Sequence, residues 1–324
     1  MVKKQSKRDI YVESNKAIDE LLNSRQSQLD REFKETLNRI KLALAEAYEK
    51  FGKDGILTRE EMVKYNRLSK FEQYLLEQIQ DLNKRQIQLT KDTIQDTFIE
   101  SYYRYGYMIE NETEFQIYKE LSKHMIQENI SNELDPIGWE ERARINNDLM
   151  LRQVKQDLYE AFAVGVAYEV ISRQISKRME VGSNKGKNIV RKEGRRVQES
   201  ANYNAMDDAD EELSKIDMSV RKQWISAKDS RVRDTHQHLD GEIIELDEKF
   251  VSKSGATALA PKQFGVMSED ANCRCTAVHA FFDENGERIG GRTMRARNHG
   301  DRVMSSVVPY QRYSDWLRDL KKRK

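Results

Sequence analysis

Four side chains near the end of the sequence could bind a metal ion. His236 and His238 are one residue apart, and so are Cys273 and Cys275. Imidazole nitrogens and thiolates are ligands that zinc accepts in tetrahedral sites. Residues one apart on an extended chain point the same way, so each pair could present two ligands together. A zinc site formed by these four residues is therefore one interpretation of the pattern.

The same segment could instead be interpreted as a catalytic site. His236 could act as a base oriented by Asp229 or Asp240, with Cys273 as a nucleophile. The sequence contains no glycine-rich phosphate loop and no Gly-x-Ser-x-Gly motif. The run from Asp234 to His238 resembles a nuclease metal cluster only loosely, because further acidic ligands at a helpful spacing are missing. We therefore predict no catalytic residue.

A structural role for these residues is the interpretation we favour. The segment 273–282 alternates as a strand would, and there the two cysteines serve as small apolar side chains. Asp229, Arg231 and Arg233 could form a hydrogen-bonded cluster that fixes the loop before Leu239. On this interpretation the chain binds no metal ion.

Long helices are predicted to precede this segment. Apolar residues follow one another at steps of three, four or seven over the first 51 residues, which indicates a helix with one apolar stripe. The stripe consists of Ile18, Leu22, Leu29, Phe33, Leu37, Ile40, Leu44, Tyr48 and Phe51. A stripe of this kind must be buried, and the chain offers little other core. We therefore interpret the first region as an arm that binds a partner.

Local signals predict where these helices begin and end. Thr58 and Glu61 are typical of a capping box at the start of a second helix, which could continue as far as Phe98. A run of tyrosines follows, and we expect it to pack helices together, with Gly106 loosening the helix. Trp139 opens two more helices with a turn near Gly165. The segment 182–186, which begins and ends with glycine, is predicted to be a flexible loop.

Composition limits the class of protein. Of 324 residues, 38% are apolar and 34% are charged, a balance that suits long, solvated helices. The net charge of +1 gives the whole chain no bias toward nucleic acid. We expect no secretory signal, no membrane span and reduced cysteines, since the cysteine spacing is poor for a disulfide.

These patterns predict an α+β protein in four regions. A helical, partner-binding region covers residues 1–135, and a second helical region covers 139–220. A small β-containing domain covers 223–282. A basic tail with a short terminal helix covers 283–324.

The tail is the best candidate for contact with DNA. From residue 288 onward it holds 11 Lys or Arg residues against three acidic residues. Such a segment binds phosphates by releasing counterions. The candidate DNA-binding residues are Arg288, Arg292, Arg295, Arg297, Arg302, Lys321, Lys322, Arg323 and Lys324. Alternatively, Tyr310–Leu320 could contact another protein.

In its order of motifs, the last third resembles the phage Mu F-like minor head (head morphogenesis) proteins. The resemblance covers residues 139–282, and its last motif is Asn-Cys-Arg-Cys at residues 272–275. Some members carry Cys-x-x-Cys where this chain has Arg233 and His236, and Arg233 cannot ligate a cation. Lys192 also replaces a threonine of the family pattern. The matching residues are Trp224, Asp229, Arg231, Arg233, His236, Leu239, Asp240, Gly241, Phe250, Asn272, Cys273 and Cys275.

The resemblance implies a structural protein of a virus particle rather than an enzyme. Such a protein would be made in the host bacterial cytoplasm and carried inside the capsid near the portal vertex. Its partners would be the portal protein and the packaged DNA, with scaffold or major capsid protein as further candidates. No membrane would be involved. The alternatives are a DNA-binding protein ejected with the genome and a metal-dependent nuclease or toxin.

Overall fold

The computed structural model describes residues 7–130, 137–227, 230–289 and 312–323. Its helices are α1 (Lys7–Phe51), α2 (Arg59–Val63), α3 (Arg67–Thr113), α4 (Lys123–Ile130), α5 (Trp139–Val164), α6 (Tyr168–Ser214), α7 (Asp234–Gln237), α8 (Met267–Asp270) and α9 (Tyr313–Leu320). Its strands are β1 (Ser219–Ile225), β2 (Ile243–Glu245), β3 (Phe250–Val251), β4 (Thr257–Ala258), β5 (Thr276–Phe282) and β6 (Arg288–Ile289). The α+β prediction is confirmed. No described helix is long and apolar enough to cross a membrane.

The chain divides into two compact units. The helical unit comprises Leu22–Thr93 and Pro136–Arg191. The mixed unit comprises Met1–Leu21, Ile94–Asp135 and Lys192–Lys324. Because α1, α3 and α6 each contribute residues to both, the units cut across the four sequential regions expected from the sequence.

The core of the helical unit is built from the apolar stripes of its helices. Leu29, Phe33, Ile40 and Leu44 of α1 are fully buried there. They pack with stripes of the other helices, which supply Leu75, Ile79, Leu82, Met150, Val154, Leu158, Phe162, Ile171, Ile175 and Met179. The stripe of α1 is thus covered by the chain itself. The prediction that this stripe binds a partner was wrong, because the apolar stripes of α1, α3, α5 and α6 together form a sufficient core.

The start of α3 is set by a local break. The Thr58 hydroxyl accepts the N–H of Glu61 at 3.5 Å, so the predicted cap is present. Tyr65 then adopts a left-handed φ of 55°, which ends α2 before α3 begins at Arg67. From there α3 continues to Thr113, beyond the predicted end near Phe98.

Gly182 and Gly186 do not form the predicted loop, since α6 runs through both. A Cβ added at Gly182 would lie 2.4 Å from Met150 Sδ and 3.0 Å from the Phe33 ring. One added at Gly186 would lie 3.0 Å from Leu29 Cδ2. The glycines therefore let α6 approach its neighbours closely. This gain in packing outweighs the helix propensity that each glycine costs, about 1 kcal/mol.

In the mixed unit the four-stranded antiparallel sheet has the order β2-β1-β5-β6. Gln223 of β1 faces Ile243 of β2 on one side and Val278 of β5 on the other. A second, two-stranded sheet pairs β3 with β4. The predicted packing role of the tyrosine run is confirmed, since Tyr102, Tyr103, Tyr105 and Tyr107 are all buried. Gly106 does not loosen α3; a Cβ there would lie 2.9 Å from the ring of Tyr118.

The terminal helix α9 is held by a buried carboxylate of α3. Glu110 accepts the indole N–H of Trp316 at 2.5 Å and a guanidinium N–H of Arg323 at 2.6 Å. It also accepts the backbone N–H groups of Ile117 and Tyr118, at 2.6 and 2.8 Å. Trp316 is buried among these contacts, so this part of Tyr310–Leu320 is not available for another protein.

We predict that the double substitution Gly182→Ala and Gly186→Ala lowers the free energy of unfolding. Each new methyl group meets atoms already in place, and overpacking of this kind costs about 1–3 kcal/mol per site, which we expect to exceed the roughly 1 kcal/mol of helix propensity that alanine gains over glycine. Urea unfolding followed by helical circular dichroism measures the loss. The matched control is Asn184→Ala, at an exposed position of the same turn of α6. If the double variant were as stable as the control, close packing at the glycines would be disproved.

Candidate functional site

The candidate site is built around Trp224, which β1 places at the centre of a small core. The Trp224 N–H donates to Glu242 O at 2.9 Å, and the Gly241 N–H donates to Trp224 O at 2.8 Å. Gly241 has a φ of 89°, a conformation that favours glycine because it has no Cβ. This turn brings Leu239 into contact with Trp224 in the core.

Asp240 fixes the same turn to the end of β1. Its Oδ1 accepts the N–H of Ser226 at 2.9 Å. Ser226 is largely buried, so without this bond its N–H would lose its partner away from bulk water. The Leu-Asp-Gly sequence therefore has a structural explanation: a buried anchor, a side-chain acceptor and a left-handed turn.

His236 lies on the short helix α7 and faces two thiols. It is 1% exposed. Its Nδ1 lies 3.6 Å from Cys273 Sγ and 3.9 Å from Cys275 Sγ. The two cysteines precede β5 rather than belonging to it, but they are buried while Arg274 between them is exposed. Asn272, with a left-handed φ of 57°, turns the chain into this extended segment.

The other ring nitrogen of His236 faces a buried carboxylate. His236 Nε2 lies 2.9 Å from Glu269 Oε2. Glu269 also accepts hydrogen bonds from the hydroxyls of Thr235, at 2.8 Å, and Ser254, at 2.5 Å. Burial raises the pKa of Glu269, but the bonds from Ser254 and Thr235 and the neighbouring His236 outweigh it and leave the pKa below its usual value. The carboxylate is therefore held ionised beside the imidazole.

Aromatic rings enclose this polar cluster. The rings of Trp224 and His236 meet edge to face with centroids 5.4 Å apart, and Phe264 stacks on His236 at 5.3 Å. Within this apolar enclosure the neighbouring Cys275 thiol lowers the pKa of Cys273, and Cys273 together with burial raises the pKa of Cys275. The pair therefore favours one thiolate and one thiol.

The structure brings together most of the residues expected to form the site. Trp224, His236, Leu239, Phe250, Cys273 and Cys275 share one core. His238 does not belong to it: its side chain is exposed, and its Nε2 lies 3.0 Å from Val251 O. The interpretation of all four residues as zinc ligands was wrong for His238, because the chain at α7 directs the two histidine side chains to different sides.

The predicted cluster of Asp229, Arg231 and Arg233 lies only partly within the described residues. Arg233 donates to Ala271 O, which ties the start of α7 to the segment before the cysteines. Arg231 is exposed, and Asp229 lies outside the described residues. Glu269 was missed as a member of the site. Its nearness to Cys273 in the sequence was the available signal, but its contact with His236 depends on tertiary structure.

Burial argues against chemistry on a substrate at this cluster. Cys273 is 7% exposed and His236 is almost fully covered. Asp240, a candidate orienting group, uses its Oδ1 to hold a backbone N–H. A substrate would have to displace the aromatic rings to reach either the thiol or the imidazole.

The candidate DNA-binding residues differ in accessibility. Arg288 lies on β6 and is exposed, as are Lys321 and Lys322 after α9. Arg323 was wrongly included, because its buried guanidinium is paired with Glu110 and also donates to Tyr118 O at 2.9 Å. The remaining candidates lie outside the described residues: Arg292, Arg295, Arg297, Arg302 and Lys324.

Comparison with known proteins agrees with this architecture. The family model described as Phage Mu protein F like protein matches residues 152–278. The chain is 27% identical over 313 residues to minor head protein GP7 of Bacillus phage SPP1, covering 95% of this chain and 97% of that protein. It is also 28% identical over 172 residues to the NAD(+)–arginine ADP-ribosyltransferase EFV of Enterococcus faecalis, covering 53% of this chain. No solved structure matches the chain.

The matched region contains β1, α7 and the Cys-x-Cys segment, so the site and the family coincide. Residues 152–278 are thus similar to the Mu F-like class of phage proteins. Nearly the whole chain is similar to a phage minor head protein, which supports a relationship to phage head morphogenesis proteins. It spans 32% of the length of the transferase, which leaves most of that protein without a counterpart here.

We predict that Asp240→Ala lowers the free energy of unfolding by about 1–3 kcal/mol, the cost of leaving a buried N–H unsatisfied. Denaturant unfolding followed by tryptophan fluorescence gives the value. Gln237→Ala, at an exposed position of α7, is the control and should change stability by less than about 0.5 kcal/mol. Equal stability of the two variants would contradict a structural role for the aspartate.

Proposed function

We propose that this chain is a minor head protein that enters the procapsid by binding the portal and aids capsid assembly and genome packaging or delivery. The observation that carries the proposal is the similarity to the SPP1 minor head protein, which extends over nearly the full length of both chains. Similarity of this extent supports a head morphogenesis role and a place in the virion. The buried site supports a structural rather than an enzymatic role.

The end of the helical unit that carries Tyr65 and Val164 is our candidate docking surface for the portal. The two most exposed large apolar side chains among the described residues are Tyr65, 81% exposed, and Val164, 80% exposed. The connections before α3 and after α5 meet at this end, since Ile56 pairs with Ala167 through a backbone bridge. Large apolar side chains exposed to this extent near one end of the unit are candidates for an interaction site.

We predict that Tyr65→Ser combined with Val164→Ser weakens binding to the portal protein by at least about tenfold while leaving the stability of the chain unchanged. Loss of two exposed apolar contacts in an interface accounts for this magnitude. Co-expression of the chain with the portal protein, followed by sedimentation and titration, measures the binding. Leu42→Ser is the matched control, because Leu42 is 63% exposed in the body of α1.

Failure of the unsubstituted chain to bind the portal under any condition would refute the portal role. Binding that survives the double substitution but is lost in the control would place the surface elsewhere on the helical unit. Mass spectrometry of purified procapsids and virions, in turn, tests incorporation into the particle directly.

Contact with the packaged DNA is a second proposal, and the charge of the tail supports it. The segment 290–311 holds four arginines and one aspartate. Within and just after α9, by contrast, Arg318 pairs with Asp315 and Lys322 pairs with Asp319. The four arginines before α9 therefore supply a substantial part of the positive charge available to phosphate groups. A protein of this kind could leave the head together with the genome.

We predict that the chain binds duplex DNA with an affinity that falls steeply between about 50 and 200 mM salt. Replacing the four arginines of the segment (Arg292, Arg295, Arg297 and Arg302) by glutamine should reduce the salt slope by about three to four. Fluorescence anisotropy with labelled duplex DNA measures the slope. A control with the same change in net charge replaces Lys16, Lys34, Lys53 and Lys84, whose side chains are 72–81% exposed. An unchanged slope in the arginine variant would refute contact through this segment.

A further inference from the structure

The cluster of His236, Cys273 and Cys275 has the donor atoms and spacing of a zinc site. The three donor atoms lie within 4.8 Å of one another, and all three residues are buried. Typical zinc bonds of about 2.3 Å to sulfur and 2.0–2.1 Å to nitrogen, at tetrahedral angles, place sulfur and nitrogen donors about 3.6 Å apart. The observed distances from Nδ1 to the two Sγ atoms are 3.6 and 3.9 Å. A single ion could therefore reach all three donors without a large movement.

Glu269 supplies the second element that a zinc-binding histidine requires. A histidine that ligates zinc through one nitrogen usually donates the other N–H to a carboxylate, which fixes its tautomer and orientation. Glu269 Oε2 lies 2.9 Å from His236 Nε2, on the side of the ring away from the thiols. A proton held on Nε2 leaves the lone pair of Nδ1 directed at the two cysteines. Thr235 and Ser254, in turn, hold the carboxylate in place.

The backbone presents both thiols to the same point. Cys273 and Cys275 alternate with exposed Arg274, so their side chains leave the same face of the extended segment. Lys262 donates to Cys275 O at 2.7 Å and to the Glu199 carboxylate at 2.9 Å, which anchors the segment from behind. The donors are therefore arranged before any ion binds.

Arg233, which cannot ligate a cation, does not take part in the cluster, because its guanidinium donates to the backbone of Ala271. His238 is likewise turned away. Three residues supply the ligands, and a catalytic role for the ion is disfavoured because aromatic rings enclose it.

We propose that this chain binds one Zn²⁺ ion through His236 Nδ1, Cys273 Sγ and Cys275 Sγ, and that the ion pins the Cys-x-Cys segment to α7. The remaining coordination position would be filled by a water molecule or another small ligand. The ion would stabilise the mixed unit, since ligands brought together by folding couple metal affinity to folding free energy. The Glu269 carboxylate, 2.9 Å from His236 Nε2, would tune the affinity of the site.

The test measures metal content of the full-length chain, purified without a histidine tag under reducing conditions. We expect about one zinc per chain by inductively coupled plasma mass spectrometry. Replacement by Co²⁺ should give the thiolate-to-cobalt charge-transfer band and the intense d–d bands of a tetrahedral site. A zinc content near zero after incubation with excess Zn²⁺ would overturn the proposal.

Variants assign the ion to these residues. Cys273→Ser with Cys275→Ser should abolish zinc binding, whereas His236→Cys, which keeps a zinc ligand, should retain it. His238→Ala is the matched control and should bind one zinc per chain. Glu269→Gln should weaken the affinity by about 10–100-fold without changing the stoichiometry. Full zinc content in the double cysteine variant would refute the assignment, and the cobalt spectrum of the unsubstituted chain decides the case if that variant does not fold.

Discussion

A buried imidazole must find partners for both of its ring nitrogens, and this requirement organises the mixed unit around His236. Glu269 lies against one nitrogen, and the two thiols lie against the other. These partners come from segments far apart in the sequence, so each segment has to be held in place. The turn at Gly241, the left-handed Asn272 and the bond from Arg233 to Ala271 provide that support. Residues that look like a catalytic set thus form one buried network.

A second buried charge organises the end of the chain. Glu110 would be costly to bury alone, because a carboxylate loses its hydration in an apolar environment. Four donors compensate it: two backbone N–H groups, the indole of Trp316 and the guanidinium of Arg323. The last helix is therefore part of the folded unit. Four arginines of the basic tail, Arg292, Arg295, Arg297 and Arg302, precede that helix in the sequence.

These two networks fit a protein whose task is assembly. A head protein has to remain folded inside a particle while it presents surfaces to its partners, and neither need calls for an open active site. The similarity to a phage minor head protein runs through both units, whereas the match to a transferase covers about a third of that enzyme. The buried polar site is consistent with the need to remain folded. The exposed apolar residues at one end of the helical unit are consistent with the need to present a surface to partners.

The sequence by itself determined the long helices and the Mu F-like region. Apolar periodicity predicted the helices, the alternation of the two cysteines placed both on one side of an extended segment, and the order of motifs identified the region that the family model matches. Tertiary structure decided what depends on residues distant along the chain. Gly182 and Gly186 became close-packing positions because Met150 and Leu29 lie against them. Likewise, the tertiary structure excludes His238 from the predicted ligand set and places Glu269 beside His236. It also pairs the largely buried Arg323 with Glu110. Each of these contacts depends on how distant segments pack together.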